Sequence, residues 1–222
     1  MTPPIVAVLT GDIVNSTKMS AEDLVSVRGV LERAATDAGG WSHRPTHGPD
    51  FYRGDAWQLV LEDPHLFLRT AVWLKASLIA SDLKAQTRIA IGIGAAEAID
   101  QDMVSRSLGE AFTQSGRTLD AMGKRRDMGF VLPAALGQFD WLPAQVTVCD
   151  YIVSRWTRSQ AEVALPLLRP DAPTQAEAAE ALDRHPQSIS RVYRDAGLYA
   201  LLEVLALVEA LPFDRLGAGS AT

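Results

Sequence analysis

The sequence predicts an α+β protein: a ferredoxin-like βαββαβ sheet over residues 1–142, followed by a small all-α domain over residues 143–222. Short β-rich apolar runs alternate with amphipathic helical patterns in the first part, in the order of a split βαβ sheet. The last third carries helical patterns alone. With 222 residues, 47% of them hydrophobic, the chain is long enough for one sizeable core and a small second one.

The first three strands follow from apolar runs and turn residues. The run IVAVLTGD at 5–12 is typical of a central strand covered on both faces. An amphipathic helix follows, with Ser20 as its N-cap and a Gly-Gly pair at its end. Two extended segments then flank the Arg-Gly-Asp tripeptide at 53–55, which predicts a β-hairpin with Gly54 and Asp55 at its tip.

The rest of the sheet is predicted from the same alternation. Pro64 suits the first position of a second helix, where a missing N–H costs nothing, and the apolar spacing extends this helix to about Leu83. The remaining predicted elements, in chain order, are a strand over 87–99, a helix over 107–126, a short strand over 128–133 and, in the all-α part, one continuous helix over 144–165.

Two carboxylates are expected to meet in this topology. The first strand and the hairpin strand that follows Asp55 are neighbours in the predicted sheet, so Asp12 and Asp55 should converge. Together with the carbonyl of Ile13 they form an oxygen-rich set that suits Mg²⁺ or Mn²⁺. The other interpretation is that both aspartates only stabilise turns, a common role for Asp. The start of the following helix, at 14–20, would offer backbone N–H groups to a triphosphate, with Asn15, Ser16 and Thr17 as the phosphate-binding residues.

Four segments, in order, resemble class III nucleotidyl cyclases. GDIVNST resembles the F-x-D-I-x-G-F-T signature, and FYRGDAWQLVL resembles the cyclase segment around Gly-Asp and also the hairpin of diguanylate cyclases. TRIAIGIGAAEAI resembles R-I-G-I-x-x-G, and GEAFTQSGRTL resembles G-x-x-V-N-x-A-x-R. The chain is most similar to the SatD family, whose members begin with a G-D-I-V-x-S block, carry an R-G-D hairpin and end in a helix-turn-helix-like segment.

The resemblance implies a nucleotide cyclase-like palm that binds a nucleoside triphosphate with Mg²⁺ or Mn²⁺, in a homodimer whose two-fold partner completes the site. It also implies that Arg117 stabilises charge on a phosphate. The base-reading positions depart from the cyclase pattern, because Phe51 stands where cyclases have Lys and Arg106 where they have an acidic residue. Thr113 replaces the Asn before the transition-state Arg, so purine recognition of the cyclase kind is not expected.

A basic run after the third predicted helix has two interpretations. Lys124 and Arg125, with Arg126 beside them, would add to a phosphate pocket. Alternatively, they are a solvated helix end stabilised by the helix dipole.

The all-α part contains a helix-turn-helix pattern. Thr174 and Glu177 form a capping box for a short helix, a turn at 183–186 follows, and a second helix ends at Gly197. This pattern resembles bacterial regulators of the MarR and sigma-factor kind. From residue 145 onward, however, seven Lys/Arg stand against ten Asp/Glu, so a packing role is an equal alternative. If the segment reads DNA, the residues facing the groove would be Gln187, Ser188, Ser190, Arg191 and Arg194.

Composition excludes several classes of protein. A net charge of −6 gives no global basic field, and the single Cys149 cannot form an internal disulfide. The N-terminus lacks a signal-peptide pattern and no apolar run is long enough to span a bilayer, so we expect a cytoplasmic protein without a membrane span. The apolar segment at 198–211 is expected to be a dimerisation or interdomain helix.

Two functions remain open from the sequence. The first is a regulatory protein whose cyclase-like domain binds metal and nucleotide, with or without nucleotidyl transfer, and is coupled to a helix-turn-helix. The second is a non-catalytic transcriptional regulator that binds DNA and uses a degenerate cyclase fold as scaffold or sensor.

Overall fold

A computed structural model describes residues 3–52, 54–123 and 126–213. Its sheet has the strand order β2-β3-β1-β4-β5, and β6 pairs in parallel with β4. Strand β1 lies in the centre, antiparallel to both β3 and β4, as the ferredoxin-like prediction requires. The strands are β1 Ile5–Ile13, β2 Thr46–Tyr52, β3 Ala56–Leu61, β4 Thr87–Ala98, β5 Leu108–Gly109 and β6 Met128–Phe130.

Helices cover both faces of the sheet. Alternate β1 side chains such as Leu9 pack with helices α1 (Ala21–Gly39) and α2 (Phe67–Ala80) in the main core. Side chains on the opposite face, such as Val8, pack with Phe112 of helix α3 (Glu110–Ala121) in a smaller core. The predicted third helix was therefore too long at its start, because residues 108–109 pair with β4 as strand β5.

Helix α2 is buried on nearly all sides rather than on the one face that its sequence predicts. A short 3₁₀ turn at Pro64–Leu66 precedes it, and it ends at Ala80 instead of continuing to Leu83. The C-terminal helices pack on its far side, so the guanidinium of Arg69 binds Glu209 at 2.9 Å and the Leu168 carbonyl at 2.7 Å. Residues on either side of the proposed 142/143 boundary thus share one core.

The prediction of one continuous helix over 144–165 was wrong. The structure has two helices, α4 (Leu142–Val153) and α5 (Arg158–Leu168). Thr157 starts α5 with a capping box to Gln160, which satisfies N–H groups that a continuous helix would have bonded internally. Trp156 lies in the break, where its indole donates to the Ala196 carbonyl at 2.8 Å.

The last three helices are α6 (Gln175–Ala181), α7 (Pro186–Asp195) and α8 (Leu198–Glu209). The predicted capping box of Thr174 is present at the start of α6. Helix α8 buries Leu198, Leu201, Leu205 and Val208 and leaves Tyr199 and Leu207 about half exposed. Within the described ranges, no helix combines the length and the apolar character that a bilayer crossing requires.

Candidate functional site

Asp12 lies near the end of β1, directly across from Ala56 of β3 on one side and Arg88 of β4 on the other. Its carbonyl accepts a hydrogen bond from the Thr87 hydroxyl at 2.7 Å. The indole of Trp57 donates to that same hydroxyl at 2.9 Å and packs against Gly11, where an added Cβ would lie 2.3 Å from the ring. Packing of the tryptophan therefore explains the glycine before Asp12.

Asp55 lies in the turn between β2 and β3, as predicted. The Ile13 N–H donates to its carbonyl at 3.2 Å, which ties this turn to the end of β1. The Ser16 hydroxyl donates to its carboxylate, and Arg28 of α1 donates to the carbonyl of Gly54. The Arg28 guanidinium also lies over the Phe51 ring, 5.4 Å from its centroid. The turn that carries Asp55 is thus held from three directions.

Arg88 binds the Asp12 carboxylate through both oxygens. Its Nε donates to Oδ1 at 2.9 Å and its Nη2 donates to Oδ2, while Nη1 donates to the Met122 carbonyl at 3.4 Å. The hydrogen bonds that Arg88 donates to Asp12 raise the pKa of Arg88, burial opposes this effect, and the negative charges of Asp12, Asp127 and Asp55 raise the pKa further. The Arg88 guanidinium therefore interacts with the charges of three aspartates.

The cleft around Asp12, here called the Asp12 cleft, confirms that the end of β1 and the hairpin turn converge. Among the residues that the structure describes, three carboxylates and one guanidinium face this open space. No three His, Cys, Asp or Glu side chains are grouped closely enough to hold a metal ion among the residues that the structure describes. Two carboxylates and nearby carbonyls still suit a hard cation that keeps part of its water shell. The lining residues are Asp12, Ile13, Val14, Asn15, Ser16, Thr17, Asp55, Arg88 and Asp127.

Asp127 connects the Asp12 cleft to a buried ion cluster, here called the Lys75 cluster. Lys75 of α2 lies 3.2 Å from the Asp127 carboxylate and 3.0 Å from that of Asp150 on α4. The Asp127 N–H donates to Asp150 at 2.9 Å, and the Ser154 hydroxyl donates to Asp150 at 3.1 Å. One aspartate therefore borders both the open cleft and the interface between α2 and α4.

The predicted phosphate residues have different outcomes. Asn15, Ser16 and Thr17 line the Asp12 cleft, where Asn15 adopts a left-handed conformation (φ 57°) before a 3₁₀ turn at Ser16–Lys18. Lys124 and Arg125 lie outside the described residues.

Arg117 lines a different cleft from Asp12. It is exposed on α3, where it borders an open groove with Glu97, Glu110 and Thr113. Thr113, which aligns with the cyclase Asn position, lies in the same groove. Within a single chain the structure therefore separates the predicted transition-state cation from the predicted metal pair.

The residues predicted to contact DNA lie on α7. Gln187, Ser190, Arg191 and Arg194 are exposed and Ser188 is half-buried, while Ile189 is the buried anchor of this helix. Arg194 lies 3.2 Å from the carboxylate of Asp195.

Sequence reasoning gave no role to Arg88 or Asp127. Arg88 was visible as the first residue of the R-I-G-I pattern, but its partner depends on the register between β1 and β4. Asp127 precedes a strand of three residues, and no local pattern indicates that it contacts Lys75 of a distant helix.

Comparisons with known proteins give a distant structural likeness. No family model matches the chain, and no curated protein is significantly similar to it. The guanylyl cyclase Cya2 shares 14% identity at a TM-score of 0.42, over 59% of this chain and 77% of that one. A bacterial light-regulated adenylyl cyclase shares 14% identity with this chain at a TM-score of 0.43. The match covers 59% of this chain and 44% of the adenylyl cyclase chain.

A further likeness is to the dimeric guanylyl cyclase domain of the RhoGC fusion protein from the aquatic fungus Blastocladiella emersonii. It has 18% identity and a TM-score of 0.40, over 57% of this chain and 79% of that one. Sequence identities and TM-scores this low assign no function to the chain. The function has to be inferred from the residues of the Asp12 cleft.

Proposed function

We propose that this chain binds a nucleoside triphosphate together with Mg²⁺ or Mn²⁺ in the Asp12 cleft, as a SatD-like regulatory protein with a nucleotide cyclase-like domain. The observation that carries the proposal is the meeting of Asp12 and Asp55, distant in sequence, beside the guanidinium of Arg88. Carboxylates suit a hard divalent cation, and a guanidinium suits phosphate oxygens.

Each residue of the cleft would have a distinct part in binding. Asp12 and Asp55 would hold the metal, with the Ile13 carbonyl next to them. Ser16 orients the Asp55 carboxylate through its hydroxyl. Arg88 would pair with a phosphate oxygen, and the 15–17 turn borders the space for the remaining phosphates. When bound, the metal ion would neutralise phosphate charge and orient the phosphate chain.

Nucleotidyl transfer would need Arg117 from a second copy of the chain. Within one chain, Arg117 borders a groove other than the Asp12 cleft. A homodimer that places one copy's α3 groove against the other copy's Asp12 cleft would bring the groups together. Sedimentation should then show a dimer at micromolar concentration, and a monomer there would leave binding without turnover.

Calorimetry across a panel of nucleoside triphosphates, each with Mg²⁺ or Mn²⁺, tests the binding function. We expect at least one metal–nucleotide complex to bind at a single site per chain. The replacement Asp12→Asn should weaken that binding, because it removes a negative charge from the metal ligands. Failure of every complex to bind would refute the proposed function.

DNA binding is a second candidate function, favoured by the exposed polar face of α7 opposite the buried Ile189. Arg191 and Arg194 lie three residues apart on that face. If they contact phosphates or guanine edges, replacing both by Ala should weaken binding to an upstream operator fragment and flatten its salt dependence. A gel shift at low salt that shows no retention would remove this candidate.

A further inference from the structure

Arg88 and Asp12 form the ion pair that a cation meets when it enters the Asp12 cleft. Two N–H groups of the guanidinium occupy the two carboxylate oxygens, with Nε at 2.9 Å from Oδ1. A metal ion can therefore coordinate Asp12 only beside a fixed positive charge, or after that charge has moved. Asp55 keeps one oxygen free of the Ser16 hydroxyl, but a single monodentate carboxylate is a weak ligand set for a divalent ion.

The Arg88–Asp12 pair also hinders the binding of a phosphate to Arg88. Of the five N–H donors of a guanidinium, three already donate, two of them to Asp12 and one to the Met122 carbonyl. A phosphate that binds Arg88 without displacing Asp12 must approach that carboxylate, and Asp55 and Asp127 line the same cleft. Repulsion between these like charges opposes the binding of a free triphosphate.

On the basis of the proposed function, we infer that metal and triphosphate enter by exchanging the Arg88–Asp12 pair, the metal taking Asp12 and a phosphate taking Arg88. Either ligand alone would leave one member of the pair without a partner in a partly buried cleft. Both together give each charge a new partner. The exchange makes binding coupled, so the cleft selects the metal–triphosphate complex over the free ion.

The variant Arg88→Met separates this inference from a merely structural role of Arg88. The inference predicts that the affinity for free Mn²⁺ rises in this variant and that the affinity for the Mn²⁺–triphosphate complex falls. Electron paramagnetic resonance of free Mn²⁺ measures binding of the ion alone, and calorimetry measures binding of the Mn²⁺ complex of inorganic triphosphate. Without the guanidinium, Mn²⁺ alone should bind about tenfold more tightly, because a positive charge next to the site is removed. The triphosphate complex should bind about tenfold more weakly, because its phosphate partner is lost.

Two other variants complete the experiment. Arg33→Met, at an exposed position on α1 away from the cleft, should change neither affinity. Arg88→Lys replaces the bidentate contact with Asp12 by a single ammonium, so its Mn²⁺ affinity should lie between those of wild type and Arg88→Met. The Lys variant takes the place of Arg88→Met in the experiment if the Met variant does not fold.

The outcomes distinguish the exchange of the Arg88–Asp12 pair from the proposed binding of metal and nucleotide. Wild-type protein that binds the triphosphate complex, with no gain in Mn²⁺ affinity for Arg88→Met or Arg88→Lys, would overturn the exchange and leave the proposed function intact. Wild-type protein that binds neither probe would overturn both.

Discussion

In the described part of the chain, the Asp12 cleft and the Lys75 cluster each combine aspartates with one cation, and Asp127 borders both, yet the two regions differ in their exposure to water. The Arg88 and Asp12 side chains are 31% and 22% exposed, whereas Lys75 and Asp150 are 5% and 8% exposed. A buried pair cannot exchange partners cheaply, because a lone charge there has no water to solvate it. The difference suggests that the Lys75 cluster holds helices together, while the Asp12 cleft is open to a ligand.

The largest expected effect follows from removing the cation of the buried cluster. Lys75→Met leaves Asp127 and Asp150 without their ammonium partner, so the free energy of unfolding should fall by roughly 3–5 kcal/mol. Denaturant titration measures this change. Arg158→Met, at the exposed pair with Asp82, is the control and should cost less than about 1 kcal/mol. Equal losses in the two variants would contradict the distinction between the regions.

The next effect concerns a ligand carboxylate in the open cleft. Asp55→Asn removes one charge and little volume, so affinity for a Mn²⁺–nucleotide complex should fall about a hundredfold, or roughly 2–3 kcal/mol. The unfolding free energy should stay within about 1 kcal/mol of wild type. Calorimetry and denaturant titration measure the two quantities, with exposed Asp102→Asn as control. A large stability loss with unchanged affinity would make Asp55 a turn residue and nothing more.

A smaller effect is expected for the residue that holds the Asp55 turn. Arg28 donates to the Gly54 carbonyl and lies over the Phe51 ring, without lining the cleft itself. Arg28→Met should lower Mn²⁺–nucleotide affinity about tenfold, which is roughly 1.4 kcal/mol. Arg28→Lys should recover part of the loss, since an ammonium can still donate to the carbonyl. Full affinity in Arg28→Met would show that the turn holds its position without this contact.

The smallest expected effect is a pH dependence of stability caused by the buried Cys149 next to the Lys75 cluster. Burial raises the pKa of the Cys149 thiol to about 12, and the neighbouring Asp150 adds to the shift. The unfolded thiol ionises near pH 8.5, about its ordinary pKa, while the folded thiol stays protonated. The unfolded state thus binds fewer protons above that pH, so stability falls as pH rises.

The contribution of the thiol is isolated by comparing wild type with Cys149→Ala. Between pH 8 and pH 9.5 the wild type should lose about 1 kcal/mol more stability than the variant. Parallel pH profiles from denaturant titration would mean that the thiol is not shielded from water.

Much of the fold could be predicted from local patterns. Apolar runs and turn residues located β1, the hairpin and β4, and the order of elements then implied that Asp12 and Asp55 meet. The α4–α5 break could not be predicted from apolar spacing, which continues across it. The signal that marks the break is polar, the Thr157–Gln160 capping box.

The rest of the site depended on long-range geometry. The pairing of Arg88 with Asp12 depends on the register of β1 against β4, which no single segment encodes. The separation of Arg117 from Asp12 depends on where α3 packs along the sheet. The burial of Lys75 and its pairing with Asp150 depend on how α4 packs against α2, which the sequence of neither helix encodes.

A cation site at Asp12 and Asp55 is tested most directly by a crystal structure of the protein grown with Mn²⁺ and a non-hydrolysable nucleoside triphosphate. Anomalous diffraction locates the manganese without reference to any assumed ligand. We expect the anomalous peak within coordination distance of both carboxylates, with Arg88 turned from Asp12 toward a phosphate oxygen. Manganese and nucleotide bound elsewhere, with the Arg88–Asp12 pair intact, would contradict the assignment of this cleft.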